Sequence, residues 1–433
     1  MSNSFFWCEN TTINVYFTSN NFKKYYCEKE GEPYPSNFHQ QLSMKNFRTE
    51  IPLRQFTYIY DLLIFRMKNT VFISMMLLST QAFSQNTLPK PPLTQKDNTV
   101  DTYHGKIIAD PYRWLEDDNA KSTAQWVTDQ NKYTTEYLSK IPFRTTLREE
   151  LARYWNYTKY SSPFKEGKYY FFYRNDGLQN QSVLYIQEGL NGTPEVFLNP
   201  NTMNANGTAS LGSVVLSKNQ KYCAYSVSNA GSDWQDIYIM DVATKAPIQE
   251  VLKYSKFSSI AWVGDEGFFY GGYDAPNEQN KFSAKTEFQK IFFHKIGTQQ
   301  SRDQLIYEDN VHPLRYKGVG ISDDEQWLML SVSEGTDGNE LYYRNLADKT
   351  TREFTLLSAG FKTNQDFIDH VDGKFYVYTN YDAPNYKLVS IDPKNPAPKF
   401  WKTIIPENAL KLDAVSIVGN QIFCNYLENA CSK

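Results

Sequence analysis

KNQKYCAYSVSNAGSDWQDIYIMDVA, residues 218–243, decides how this chain folds. It opens on a polar turn, Lys218-Asn219-Gln220, and continues as an apolar and aromatic run from Tyr222 to Val227. The run breaks at Asn-Ala-Gly-Ser-Asp and resumes from Ile237 to Val242. Asn, Gly, Ser and Asp between two short apolar runs mark a turn, and Tyr, Val and Ile suit a pleated, half-buried surface. The stretch therefore reads as two antiparallel strands joined by a loop.

The same unit recurs in both directions. KEGKYYFFY (165–173), GDEGFFYGG (264–272), DDEQWLMLS (323–331), DGKFYVYTN (372–380) and GNQIFCNYL (419–427) each repeat the turn and its strand. SVLYIQEG, KIFFHKIG, ELYYRNLA and YKLVSIDP supply the strand that follows. A spacing of about 50 residues is that of propeller blades, and several short strands per unit without intervening helices favour a propeller over a sandwich. The expectation is a mainly β chain, with a propeller over 159–433 of about five blades plus the start of a sixth. Only ENACSK follows GNQIFCNYL. The ring is therefore expected to be unsealed and the chain a fragment, because closure is how a propeller protects its edges.

Composition narrows the function. The 433 residues carry 16% aromatic and 21% charged side chains and a net charge of −3. So balanced a charge offers nothing to nucleic acid or an anionic membrane. Cys8, Cys27, Cys223, Cys424 and Cys431 contain no C-x-x-C pair and form neither a disulfide framework nor a zinc site. With no phosphate loop either, no cofactor and no metal are expected.

Toward the N-terminus the pattern turns helical. DDNAKSTAQWVTDQNKYTTEYLSK has acidic residues at its front and a lysine at its end, as a helix dipole prefers. TTLREELARYW offers Thr146 and Glu149 as a capping box, with Leu147, Leu151, Tyr154 and Trp155 on one face. Both belong to a segment at 96–158, preceded by a Pro-rich linker at 85–95. Before that, RMKNTVFISMMLLSTQAFSQ (66–85) has a basic start, a short apolar run and a small-residue exit. It reads as a signal peptide at 67–84 and not as a membrane span. Met67 is then the expected start, residues 1–66 an unstructured spurious extension, and the product periplasmic or secreted with its end near Gln85.

DTYHG (101–105), ADPYRWLEDDNA (109–120), GLQNQSVLY (177–185), NAGSDWQDIYIMDV (229–242), KFSSIAW (256–262) and DAPNYKLVSID (382–392) occur in order along the mature chain. Together they resemble the prolyl oligopeptidase family, serine endopeptidases that cleave short peptides after proline. The resemblance implies an α/β-hydrolase domain, to which 96–158 contributes, capped by a seven-bladed propeller that gates substrates by size. It also implies partners: short proline-containing peptides, and the hydrolase domain absent from this sequence. Asp233 of GSDW would face that domain and pair with its substrate-holding arginine, and Phe257 would line an apolar subsite. Ser333 and Thr336 fall at two further lining positions, where the animal enzymes carry arginine and cysteine.

No G-x-S-x-G occurs, and none of His39, His104, His294, His312 and His370 is paired by sequence with a nucleophile. No catalytic residue is therefore assigned, and the chain alone is expected to be inactive. The competing readings are a stand-alone secreted propeller that binds peptides or proteins, and a sibling peptidase cleaving after basic residues. DPYRWLED reads as structural, its charges capping a packed segment.

Overall fold

The computed structural model describes Trp7–Cys8, Thr11–Thr12 and residues 90–433 apart from 278–280, 282–284 and 420. The expected signal peptide and most of the upstream extension lie outside the described residues. Of that extension, Trp7–Cys8 pairs with Thr11–Thr12. Residues 1–88 and 89–433 are separate compact units. Among the described residues, the second unit holds every helix and every sheet but that one short pair. None of those helices is long and apolar enough to cross a membrane.

Residues 90–95 form no regular secondary structure and are strapped to the first α-helix, with Trp126 Nε1 donating to Thr94 Oγ1 at 2.9 Å and Gln130 Nε2 to the carbonyl of Pro92 at 3.2 Å. A hairpin, Val100–Tyr103 with Lys106–Ala109, leads to helices α1 (Lys121–Ser139) and α2 (Arg144–Trp155). The expected capping box does not form. Leu147 N bonds the carbonyl of Phe143, so α2 starts early enough to put Thr146 inside its first turn. Asp117 likewise caps the backbone N–H of Asn119 instead of the front of α1, which starts at Lys121. Arg113 forms ion pairs with Asp101 and with Asp110, the latter at 2.6 Å, so the charges of DPYRWLED neutralise one another.

Six antiparallel sheets come next in chain order, not seven. Blade 1 (Lys159–Leu198) has five strands, and blades 2 (Ala209–Ser255), 3 (Ile260–Tyr307), 4 (Tyr316–Ser358) and 5 (Gln365–Ile405) have four each. Blade 6 (Lys411–Ser432) has three strands. In blades 1 to 5 the pairing of the third and fourth strands of the meander carries a register shift, which adds twist at the outer edge.

The hydrophobic cores lie between the blades. Phe171 and Leu184 of blade 1 pack on Leu216, Cys223 and Met240 of blade 2. Ala224 and Ile237 pack on Trp262 and Phe268, and so around to Tyr378 and Leu388 of blade 5 against Leu412 of blade 6. Each fully buried Leu, Ile or Phe contributes about 1.5–3 kcal/mol, so the seams hold the blades in sequence. Polar stitches fix their angle. Ser259 Oγ donates to the carbonyl of Val319 and accepts from its N–H, and Asn339 does the same across to the backbone of Gln365. The turn of blade 2 reaches that of blade 4, where the Lys218 ammonium meets the carbonyl of Asp323. Such a crossing requires the sheets to curl about an axis. The fold is a β-propeller.

Candidate functional site

Meander topology decides which loops share a face. In each blade the second-to-third connection and the connection onward to the next blade emerge at the same end of the sheet. Residues 230–234, 256–259 and 334–339 are such connections. The four residues singled out by sequence, Asp233, Phe257, Ser333 and Thr336, therefore sit on or next to one rim.

The structure brings two of them into one cleft. It has a volume of about 720 Å³ and is lined by Ser210, Ser228, Asp233, Gln235, Phe257 and Gly318, among others, from blade 2, its connection to blade 3, and blade 4. Asp233 is exposed because the turn does not use its carboxylate: Trp234 N bonds Ser232 Oγ instead. Its carboxylate lies 3.5 Å from the Lys256 ammonium. Lys256 is mostly buried, with its Nζ 5.5 Å from the centre of the Trp234 ring, 5.2 Å from that of Phe257 and 3.2 Å from Thr286 Oγ1. Trp234 is held in turn by donation to the carbonyl of Lys281 and an edge contact with Tyr273.

Phe257 is 54% exposed and has a φ of 50°, the left-handed region that a bulky residue adopts only under constraint. Its ring meets Tyr316 edge-on at 5.6 Å. Tyr316 pairs in register with Ser333, which places Ser333 beside this contact but outside the cleft lining. Thr336 lies farther along the exposed turn, and the structure does not bring it to the others.

Sequence reasoning missed Lys256, Gln289 and Arg315. Gln289 is 1% exposed, and Arg315 bonds Glu334 while its guanidinium lies over Phe361. The signal for Lys256 was available, since it precedes Phe257 within KFSSIAW. The other two become visible only when neighbouring blades are in place. Lys317 was also missed. It is 1% exposed, its ammonium has no hydrogen-bond partner among the described residues, and burial pulls its pKa down.

The histidines with assigned partners bond carboxylates. His294 meets Asp303 and Glu250, His312 meets Asp309, and His370 meets Asp324. These are structural hydrogen bonds within turns and across seams. Among the described residues, no group of His, Cys, Asp or Glu is arranged to hold a metal.

A six-sheet propeller with a peptide-sized cleft on one rim defines a class of substrate-gating or binding domains. Comparison with known proteins specifies which. Residues 91–433 match the family described as prolyl oligopeptidase, N-terminal beta-propeller domain. The chain is 45% identical over 341 residues to a prolyl endopeptidase of Elizabethkingia meningoseptica, covering 79% of this chain and 48% of that protein. It is 42% identical to the prolyl endopeptidase of Elizabethkingia miricola, covering 82% and 50%. Among solved structures, a prolyl endopeptidase studied for inter-domain dynamics superposes with a TM-score of 0.71 at 29% identity, covering 79% of this chain and 50% of that one. Prolyl oligopeptidase B of Galerina marginata, bound to a 35mer hydrolysis and macrocyclization substrate, gives 0.67 at 28% identity, covering 78% and 51%. This chain belongs to the prolyl oligopeptidase family. It spans about half the length of the relatives it matches.

Proposed function

We propose that this chain is the N-terminal and propeller part of a prolyl oligopeptidase-type serine endopeptidase. The Asp233–Phe257 rim faces both the substrate and a hydrolase domain encoded outside this sequence. The cleft carries this reading: a carboxylate exposed to its surroundings and an exposed aromatic ring converge on one 720 Å³ opening, which suits a cationic partner and an apolar peptide side chain. The helices support it. Leu147, Leu151, Tyr154 and Trp155 are 51–67% exposed, an apolar stripe that calls for cover. Hydrolase sheet on that stripe, with a further blade beyond the third strand of blade 6, completes the architecture of the family. The stripe also favours this reading over a stand-alone binding module, which has no use for it.

The Ser-His-Asp machinery belongs to the hydrolase domain, and the propeller restricts entry to short proline-containing peptides. Export follows from the Met67–Gln85 region, with a mature end near Gln85, which N-terminal sequencing of the natural product tests. The purified chain, assayed on a proline-containing chromogenic peptide, is expected to show no turnover. Turnover abolished by a serine-directed inhibitor would place the nucleophile within this chain and overturn the reading.

A further inference from the structure

The backbone of Phe257 poses a physical problem. A non-glycine residue at a φ of 50° is strained, and a ring 54% exposed is not held there by burial. Something else keeps it in place. The carboxamide of Gln289 donates from Nε2 to the carbonyl of Lys256 at 3.1 Å and to that of Phe257 at 3.3 Å. Its Oε1 accepts from Lys317 N at 2.6 Å. One buried side chain thus ties the connection between blades 2 and 3 to the inner strand of blade 4.

The surroundings are shaped for that carboxamide. A Cβ on Gly271 would come within 3.0 Å of Gln289 Nε2 and 3.2 Å of Ser258 Oγ, so a larger residue there would push the carboxamide aside by a few tenths of an ångström. Gly271 N donates to Ser258 Oγ at 2.7 Å, and Ser255 Oγ donates back to the Gly271 carbonyl, closing the loop on both sides of Phe257. Phe288, next to Gln289, is itself left-handed at a φ of 58°, and its N–H bonds the carbonyl of Pro313. Two strained phenylalanines and a glycine therefore converge on one buried amide.

We propose that Gln289 is a positioning residue for the peptide cleft: it holds Phe257 in its left-handed conformation and so aims the ring at the rim. This inference rests on Phe257 lining a peptide subsite. Phe257 would be the contact, and Gln289 would act through it without touching the peptide.

The test is a double-mutant cycle on the full chain. A fluorescein-labelled Gly-Phe-Gly-Pro peptide is titrated by fluorescence polarisation against the unaltered chain, Phe257→Ala, Gln289→Met and the double variant. The expected result is a loss of about five- to tenfold in each single variant, with the double variant no weaker than Phe257→Ala alone. A merely structural glutamine would weaken binding equally in both backgrounds, and that outcome, or unchanged binding in Gln289→Met, overturns the proposal while leaving the subsite intact. Unchanged binding in Phe257→Ala, or no binding by the unaltered chain, overturns the subsite reading and this inference with it. If Gln289→Met does not fold, Gly271→Ala, whose added methyl would press on Gln289 Nε2 at 3.0 Å, displaces the same carboxamide without removing it. It must give the same pattern.

Discussion

Replacing His294 by leucine removes the cation from a sealed ionic cluster between blades 2 and 3. His294 is fully buried, with Nδ1 2.7 Å from Asp303 and Nε2 3.1 Å from Glu250. The hydroxyl of Tyr270 donates to the other oxygen of Asp303 at 2.8 Å. With a carboxylate on each nitrogen, the ring keeps both protons. Burial alone lowers its pKa, but hydrogen bonds to Asp303 and then Glu250 outweigh burial and raise it above the ordinary value. The folded pKa being the higher one, the stabilisation is complete below the unfolded value of about 6.5. It is lost as pH rises through the folded value.

Leucine leaves the buried Asp303 carboxylate and the partly buried Glu250 carboxylate without that counter-charge, at a cost of about 3–5 kcal/mol. At about 2 °C per kcal/mol in large domains, Tm falls by roughly 6–10 °C. The assay is thermal unfolding followed by circular dichroism between about pH 6 and pH 9. The difference in Tm between the natural chain and His294→Leu should be largest at the acid end and shrink toward the alkaline end. A difference that is constant with pH, or that grows as pH rises, refutes the imidazolium assignment.

Lys317→Met should raise Tm, because it replaces a buried ammonium without a partner among the described residues by an apolar side chain of similar volume, a change worth about 1–4 kcal/mol in comparable sites; a fall in Tm would show that the ammonium is satisfied. Cys223 is fully buried and its thiol is pushed up by burial, whereas Cys431 is exposed. Alkylation of the native chain read by peptide mass spectrometry should therefore label Cys431 early and spare Cys223 until unfolding. Leu147→Glu with Leu151→Glu should reduce binding of a hydrophobic dye while shifting stability by less than about 0.5 kcal/mol per site, as exposed positions do; a large drop in Tm would mean that the stripe is already covered within this chain.

The second and third strands of each blade were legible because they are flanked on both sides and read as dense apolar runs, as in Tyr222–Asn229 and Gln235–Asp241. First and fourth strands were harder to see. Thr355–Ser358 is half exposed with a shifted register, and Tyr316–Ile321 alternates glycine with Lys317, Val319 and Ile321, so neither reads as a dense apolar run. The capping box failed at Thr146 because a helix start depends on which carbonyl the fourth residue finds, and here Phe143 offered one earlier. At the site, Asp233 and Phe257 were found through short motifs. Gln289, some 30 residues from the loop it supports, had no local signal.

Turn chemistry and alternating apolar residues are local, and they suffice to make hairpins at a recurring interval wherever this chain is placed in water. The order of strands within a blade, and the emergence of Asp233 and Phe257 at the same end of their sheets, follow from that pattern alone. Tertiary structure decided everything that crosses a seam: the cores shared by successive blades, the buried imidazole held between Glu250 and Asp303, the burial of Lys317, and the amide that bends Phe257 toward the rim. Each of these depends on burial and on hydrogen bonds between residues far apart in the chain, and their strength exists only once neighbouring sheets have excluded water from the space between them.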